Sequence, residues 1–208
     1  IITACSTGEG TAQKLKELIY NKFNKEQYEV INLSMKDKEE FRLSIEKIKK
    51  EMNIVAIISA FDIRLEGIKY IPMDEFFKEL MEEDPCNYGS KDEYINHIKI
   101  VYEDYLELKD GDFILRSFIE IISTTQYIFD IHIDNEKFSG LLMHCGCLIQ
   151  KIMNREERDS CKSMEIILSR YQEIYNYLKD GLKVLEEKLE IQFSKDDIGN
   201  IVEIIVNL

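Results

Sequence analysis

Proline is scarce in this chain. Two prolines and nine glycines in 208 residues leave little room for long irregular coil. Long apolar runs are missing too: none approaches the roughly 18 residues that a membrane-spanning helix needs, so no span is expected. Basic residues are outnumbered, 27 Lys and Arg against 40 Asp and Glu, for a formal charge of −13. A surface that acidic repels nucleic-acid phosphates. With no Arg/Lys stripe and no helix-turn-helix pattern, direct DNA binding is not expected. The five cysteines are odd in number and follow no disulfide spacing, which points to reduced thiols and a cytoplasmic location. No initiator Met is present. The chain opens on Ile1-Ile2-Thr3-Ala4, already inside an expected strand, as an excised piece of a longer protein would.

What is present is apolar and helix-forming. Hydrophobic residues make up 45% of the chain, enough to fill cores in one large or two small domains. The first third alternates short β-branched runs with helical spacing. Residues 1–4 read as a strand, 11–23 as a helix with Leu15, Leu18 and Ile19 on one face, and 28–33 as a second strand. Residues 39–52 read as a helix, and 54–60 as a continuous apolar strand buried on both faces. Residues 68–71 read as a fourth strand, with Pro72 opening a helix that runs to about Glu83. Short strand–helix alternation predicts a parallel, doubly wound sheet. A Pro-, Gly- and charge-rich stretch around Glu82–Ser90 marks a linker. Beyond it helical patterns cover 91–109, 113–131, 138–154, 163–189 and 195–206, with Asp134 and Ser194 placed as N-caps. Five helices with short loops predict a bundle.

The turn after the first strand carries the first candidate chemistry. Cys5 is followed by Ser6-Thr7-Gly8-Glu9-Gly10-Thr11 and a helix start, where free N–H groups and the helix dipole favour an anion and lower a thiol pKa. A P-loop would end in Gly-Lys-Ser/Thr, but Gln13-Lys14-Leu15 follows here. A dinucleotide fingerprint would need a third glycine and an acid near Leu33. The low-molecular-weight tyrosine phosphatases carry an Arg six residues after the Cys, where this chain has Thr11. The segment Ile2-Thr3-Ala4-Cys5-Ser6-Thr7-Gly8-Glu9-Gly10-Thr11-Ala12 instead resembles galactitol-type IIB domains of the bacterial sugar phosphotransferase system (PTS). That resemblance implies a four-stranded parallel sheet over 1–83. It also implies a phosphorylatable Cys5 and a phosphate loop that includes Ser6, Thr7, Gly8, Gly10 and Thr11. The alternative is a loop retained as scaffold, with Cys5 a small buried hydrophobe.

The second candidate is His144. Residues 138–153 form one helical pattern with Leu141, Leu142, Cys145, Leu148, Ile149 and Ile152 in its apolar stripe, and His144 lies on the edge of that stripe. His144, Cys145 and Cys147 splay around more than half of a helix, so they do not converge on one metal ion and no metal site is expected. His97 and His132 read as structural. By itself an edge histidine is usually only half-buried and polar. Its context is more specific. Ile131-His132-Ile133-Asp134, then Phe138 with Leu141-Leu142 before His144, then Leu185-Glu186 to Ile198 in order, resemble the PTS regulation domain. That resemblance covers about 107–208 and implies a five-helix bundle in which His144 accepts a phosphoryl group. Lys151 stands where the family has a phosphate-pairing Arg. The family's second histidine would fall near Ile204 and is absent, which implies a single-site domain.

A IIB-like module (1–83), a linker and connecting helix (84–106) and a PTS regulation domain (107–208) together resemble the C-terminal part of sigma-54-dependent activators of the levanase-operon-regulator type. The resemblance implies a sugar-responsive regulatory fragment without cofactor. Its implied partners are the phosphocarrier HPr, a sugar-specific IIB-type donor, an upstream ATPase domain of the same protein and a second copy paired through the helical domain. Two other readings stay open: an active phosphotransferase carrying phosphate on Cys5, and a dimerisation module without phosphorylation.

Overall fold

The computed structural model describes residues 1–5, 9–22, 28–35, 37–59, 63, 65–73, 75, 76 and 91–208. The expected linker around Glu82–Ser90 lies outside them. The described chain is mixed α/β with a helical majority and forms two compact units. One comprises Ile1–His97 with Asn135–Gly140, the other Ile98–Asp134 with Leu141–Leu208.

The first unit is built on a four-stranded, all-parallel sheet of β1 (Ile2–Cys5), β2 (Ile31–Ser34), β3 (Ala56–Ser59) and β4 (Lys69–Pro72), in the order β2-β1-β3-β4. β3 is buried at all four positions, Ser59 included, as an inner parallel strand covered on both faces should be. α1 (Glu9–Lys22) follows β1, and α2 (Lys38–Glu51) follows β2. Leu15, Leu18 and Ile19 are the buried face of α1. Ile2, Ala4 and Ile57 form a core cluster with Phe41 and Ile45 of α2. Asp37 caps α2 by accepting the backbone N–H groups of Glu39 and Glu40, both at 2.9 Å. Lys49 and Lys50 sit in its last turn, where the helix dipole favours cations. Asn32 on β2 ties two neighbours together: it accepts from Thr3 Oγ1 at 2.7 Å and donates to Gln13 Oε1 at 2.6 Å.

Pro72 stands at a junction. It closes β4 opposite Ser59, one residue past the end of the strand expected from the sequence, and the expected helix begins directly after it. β4 is an edge strand, and a proline at an edge costs no ladder hydrogen bond when its nitrogen faces outward. Helical turns resume at Met73, Glu75 and Phe76.

Beyond β4 no strand occurs among the described residues. α3 (Lys91–Ile100) gives way to a π-turn, Val101–Tyr105, whose wider closure is seen in Leu106 N donating to Val101 O at 2.8 Å. The single helix expected over 91–109 is therefore two geometries. The second unit continues through α4 (Gly111–Phe129), α5 (Asn135–Met153), α6 (Met164–Arg170), α7 (Gln172–Gly181), α8 (Lys183–Leu189) and α9 (Lys195–Val206). The expected single helix 163–189 is three short ones, broken at Tyr171 and Leu182. Burial of Ile167, Ile174, Leu178, Leu182 and Leu185 carries on across both breaks, so the apolar pattern does not register them. Left-handed residues Asp130, Glu190 and Asn207 close α4, α8 and α9. Ser194 caps α9 as expected, in a full capping box with Asp197.

Candidate functional site

α5 carries the second candidate. It begins one residue after Asp134 and buries Leu141, Leu142, Cys145, Leu148 and Ile149, the stripe anticipated from spacing, while Ile152 is half-buried. His144 is half-buried between the fully buried Met143 and Cys145. Its Nε2 is itself buried, so the accessible part of the residue lies elsewhere. Among the other histidines, His97 is buried and His132 is exposed in the α4–α5 connection.

Lys151 follows His144 by seven residues on the same helix. That places it on the same face, about 10.5 Å further along the axis. Its Nζ lies 3.8 Å from Asp159 Oδ2, with the lysine side chain 23% exposed. Asp159 belongs to a loop that is fastened to α9. Asn200 Nδ2 donates to Asp159 O at 3.0 Å, Cys161 N donates to Asp196 Oδ1 at 2.8 Å, and Arg158 Nη1 meets Asp197 Oδ2 at 2.5 Å. Asp197 is almost fully buried and also accepts from Ser194 N at 2.7 Å. Ile204, where a second histidine would stand, is buried and apolar.

The opposite side of α5 is clamped by the π-turn. Tyr102, fully buried, donates its hydroxyl proton to Leu142 O. Its ring lies against Gly146, where a Cβ would stand 2.5 Å from the ring carbon Cε1. Gln150 Nε2 donates to Leu106 O at 3.1 Å. Leu142, Gly146 and Gln150 recur every four residues, so one face of α5 is held along two turns.

Cys145 faces no solvent. Burial, and secondarily the neighbouring Cys147, push its thiol well above the ordinary range. A thiol so held is not a nucleophile at neutral pH. Iodoacetamide at pH 8 is therefore expected to leave Cys145 unmodified in the native protein and to alkylate it after denaturation, read by peptide mass; equal modification in both states would contradict this.

The first candidate is described only in its backbone. Cys5 ends β1 opposite Ser34 of β2. Ser6, Thr7 and Gly8 lie outside the described residues, and Gly10 and Thr11 fall in the first turn of α1.

Sequence reasoning passed over Asp159, Arg158, Asp197, Tyr102 and Gly146. Only Asp197 left a legible signal, the Ser-x-x-Asp spacing of a capping box. The others act across long separations that no local pattern records.

Residues 119–208, less than half of the chain, match the family model described as the PRD domain. The transcriptional regulatory protein LevR of Bacillus subtilis (strain 168) is 21% identical over 216 aligned residues. The alignment takes in 95% of this chain but only 22% of that relative, so the chain spans about a fifth of its length. No solved structure matches.

Proposed function

We propose that this chain is the sugar-responsive regulatory part of a transcriptional regulator, a helical PTS regulation domain preceded by a IIB-like module, in which His144 accepts a phosphoryl group. The observation that carries the reading is the placement of a half-buried histidine mid-helix within the PRD match, with a lysine two turns on along the same face. A ring nitrogen of His144 attacks the phosphorus of the donor, and the donor's bond to phosphorus, N–P in a phosphohistidine or S–P in a phosphocysteine, breaks with its electron pair returning to the donor's nitrogen or sulfur. The modification adds about −1.5 to −2 charges to the helix edge by analogy with other phosphorylated residues. A bundle interface balanced within a few kcal/mol can be tipped by that. The donors are HPr or a sugar-specific IIB-type protein. The response passes to an upstream sigma-54-type ATPase domain, and two copies pair through the helical domain.

The test is direct. Incubation with labelled phosphoenolpyruvate, Enzyme I and HPr, with and without a IIB-type donor, is expected to label the wild type and not His144→Ala. Equal labelling of the two removes the assignment.

Lys151 sharpens the reading. Unmodified, it faces Asp159; after transfer it turns to the phosphoryl group. Asp159→Asn removes the competitor and should lengthen the lifetime of the label, while Lys151→Ala should shorten it. Each change is expected to be roughly two- to fivefold, the scale of a half-exposed pair worth about 0.5–1 kcal/mol. Lifetimes unmoved by both substitutions would exclude Lys151 from the phosphorylated state.

A second reading rests on topology. Cys5 ends β1 beside β3, and the chain leaves β1 toward β2 but β3 toward β4, the kind of switch point where open parallel sheets hold ligands. A label that survives in His144→Ala and is lost in Cys5→Ser would make the chain a phosphocysteine carrier.

A further inference from the structure

Within the second unit, α6, α7, the 190–194 connection and the first turn of α9 enclose an open cleft of about 580 Å³. Its apolar floor is Met164, Leu168, Phe193 and Ile198. Phe193 and Ile198 are core residues, but Leu168 is 44% exposed, so oily surface meets water there. Every charged residue lining the cleft is cationic: Arg158, Lys179 and Lys195. On a chain of formal charge −13 that is a local reversal of sign. Arg158 is already matched by Asp197. Lys179 and Lys195 are exposed, and neither forms an ion pair among the described residues. The N-terminus of α9 is already satisfied by the Ser194–Asp197 capping box and adds nothing.

We infer that this cleft docks an acidic, amphipathic segment of a partner protein, with one large apolar side chain on the floor and carboxylates against Lys179 and Lys195. Two features select that occupant. The cleft is open along its rim, whereas sites for small ligands enclose most of their ligand. Apolar floor and cationic rim together match the anatomy of a protein interface, in which a buried anchor supplies affinity and rim charges supply steering and choice of partner. A formal charge of −13 disfavours an acidic partner over the surface as a whole, so a local cationic rim favours its landing here. The inference does not depend on His144 and survives or fails apart from it.

The test is fluorescence anisotropy on the full chain with a fluorescein-labelled peptide, Glu-Glu-Leu-Phe-Glu-Glu, and a control in which every Glu is Lys. The acidic peptide is expected to bind, about tenfold more weakly to the double variant Lys179→Glu/Lys195→Glu, and more weakly to wild type when salt is raised to about 0.5 M. The Lys peptide is expected not to bind. Both substitutions are on exposed side chains, and an unchanged circular dichroism melt shows that the variant is folded. Absence of binding, or equal binding of the two peptides or by the two proteins, overturns the inference. An anionic dye such as anilinonaphthalene sulfonate that binds in a Lys179- and Lys195-dependent way where the peptide does not would make the cleft a small-ligand pocket. A change in sedimentation mass between wild type and the double variant would assign the cleft to a second copy. Either result also overturns it.

Discussion

Gly146→Ala is expected to destabilise the protein by about 2 kcal/mol, against the normal sign of that substitution. In a helix interior Ala ordinarily gains about 1 kcal/mol over Gly. Gly146 is interior to α5, but its Cβ would stand 2.5 and 2.7 Å from two carbons of the Tyr102 ring and 2.9 Å from Leu106 Cδ1. The ring cannot swing aside cheaply, because Tyr102 is fully buried and its hydroxyl is fastened to Leu142 O. Overpacking of this kind costs about 1–3 kcal/mol, and a contact this close belongs at or above the top of that range. Urea denaturation followed by circular dichroism measures it. Tyr102→Phe in the same background loosens the ring and should recover part of the loss, so the two substitutions should not be additive. A stabilised Gly146→Ala protein would mean that the π-turn does not clamp α5.

Asp197→Ala is expected to cost about 2–3 kcal/mol, more than Ser194→Ala at about 1 kcal/mol. Both substitutions break the capping box, but Asp197 also holds Ser194 N–H and the Arg158 guanidinium. Removing a buried carboxylate strands these donors. The full 3–5 kcal/mol typical of breaking a buried pair is not reached, because the Arg158 side chain is 32% exposed and can turn to water. Hydrogen exchange gives a local readout. The amide of Cys161 should exchange faster in Asp197→Ala, since the loop loses its Arg158 anchor and keeps only the Asp196 and Asn200 contacts. Equal stability losses for the two variants would reduce Asp197 to a helix cap.

The sheet was readable because its signals are local. An inner strand is continuously apolar, as Ile57 and Ile58 are, and α1 shows its buried face every third or fourth residue. Pro72 was legible as a helix opener but not as the end of an edge strand; β4 runs up to it and helical turns begin at Met73, so both roles meet at one residue. The π-turn at Val101–Tyr105 was invisible for a different reason. No local spacing marks it, and the glycine against which its tyrosine ring packs lies on another helix more than forty residues away. Tyr171 and Leu182 break the 163–189 segment without breaking its apolar pattern. At the candidate site, the edge position of His144 followed from the residues flanking it. The Lys151–Asp159 pairing did not, because it depends on a loop that α9 holds in place.

Phosphoryl transfer to a reachable nitrogen of the His144 ring is what the functional account rests on. The most direct measurement is peptide mapping at neutral pH of the chain after incubation with phosphoenolpyruvate, Enzyme I and HPr, with and without a IIB-type donor. The account predicts a single acid-labile phosphoryl group on the peptide that contains His144. A group found instead on the exposed His132, on Cys5, or on no residue at all would contradict it.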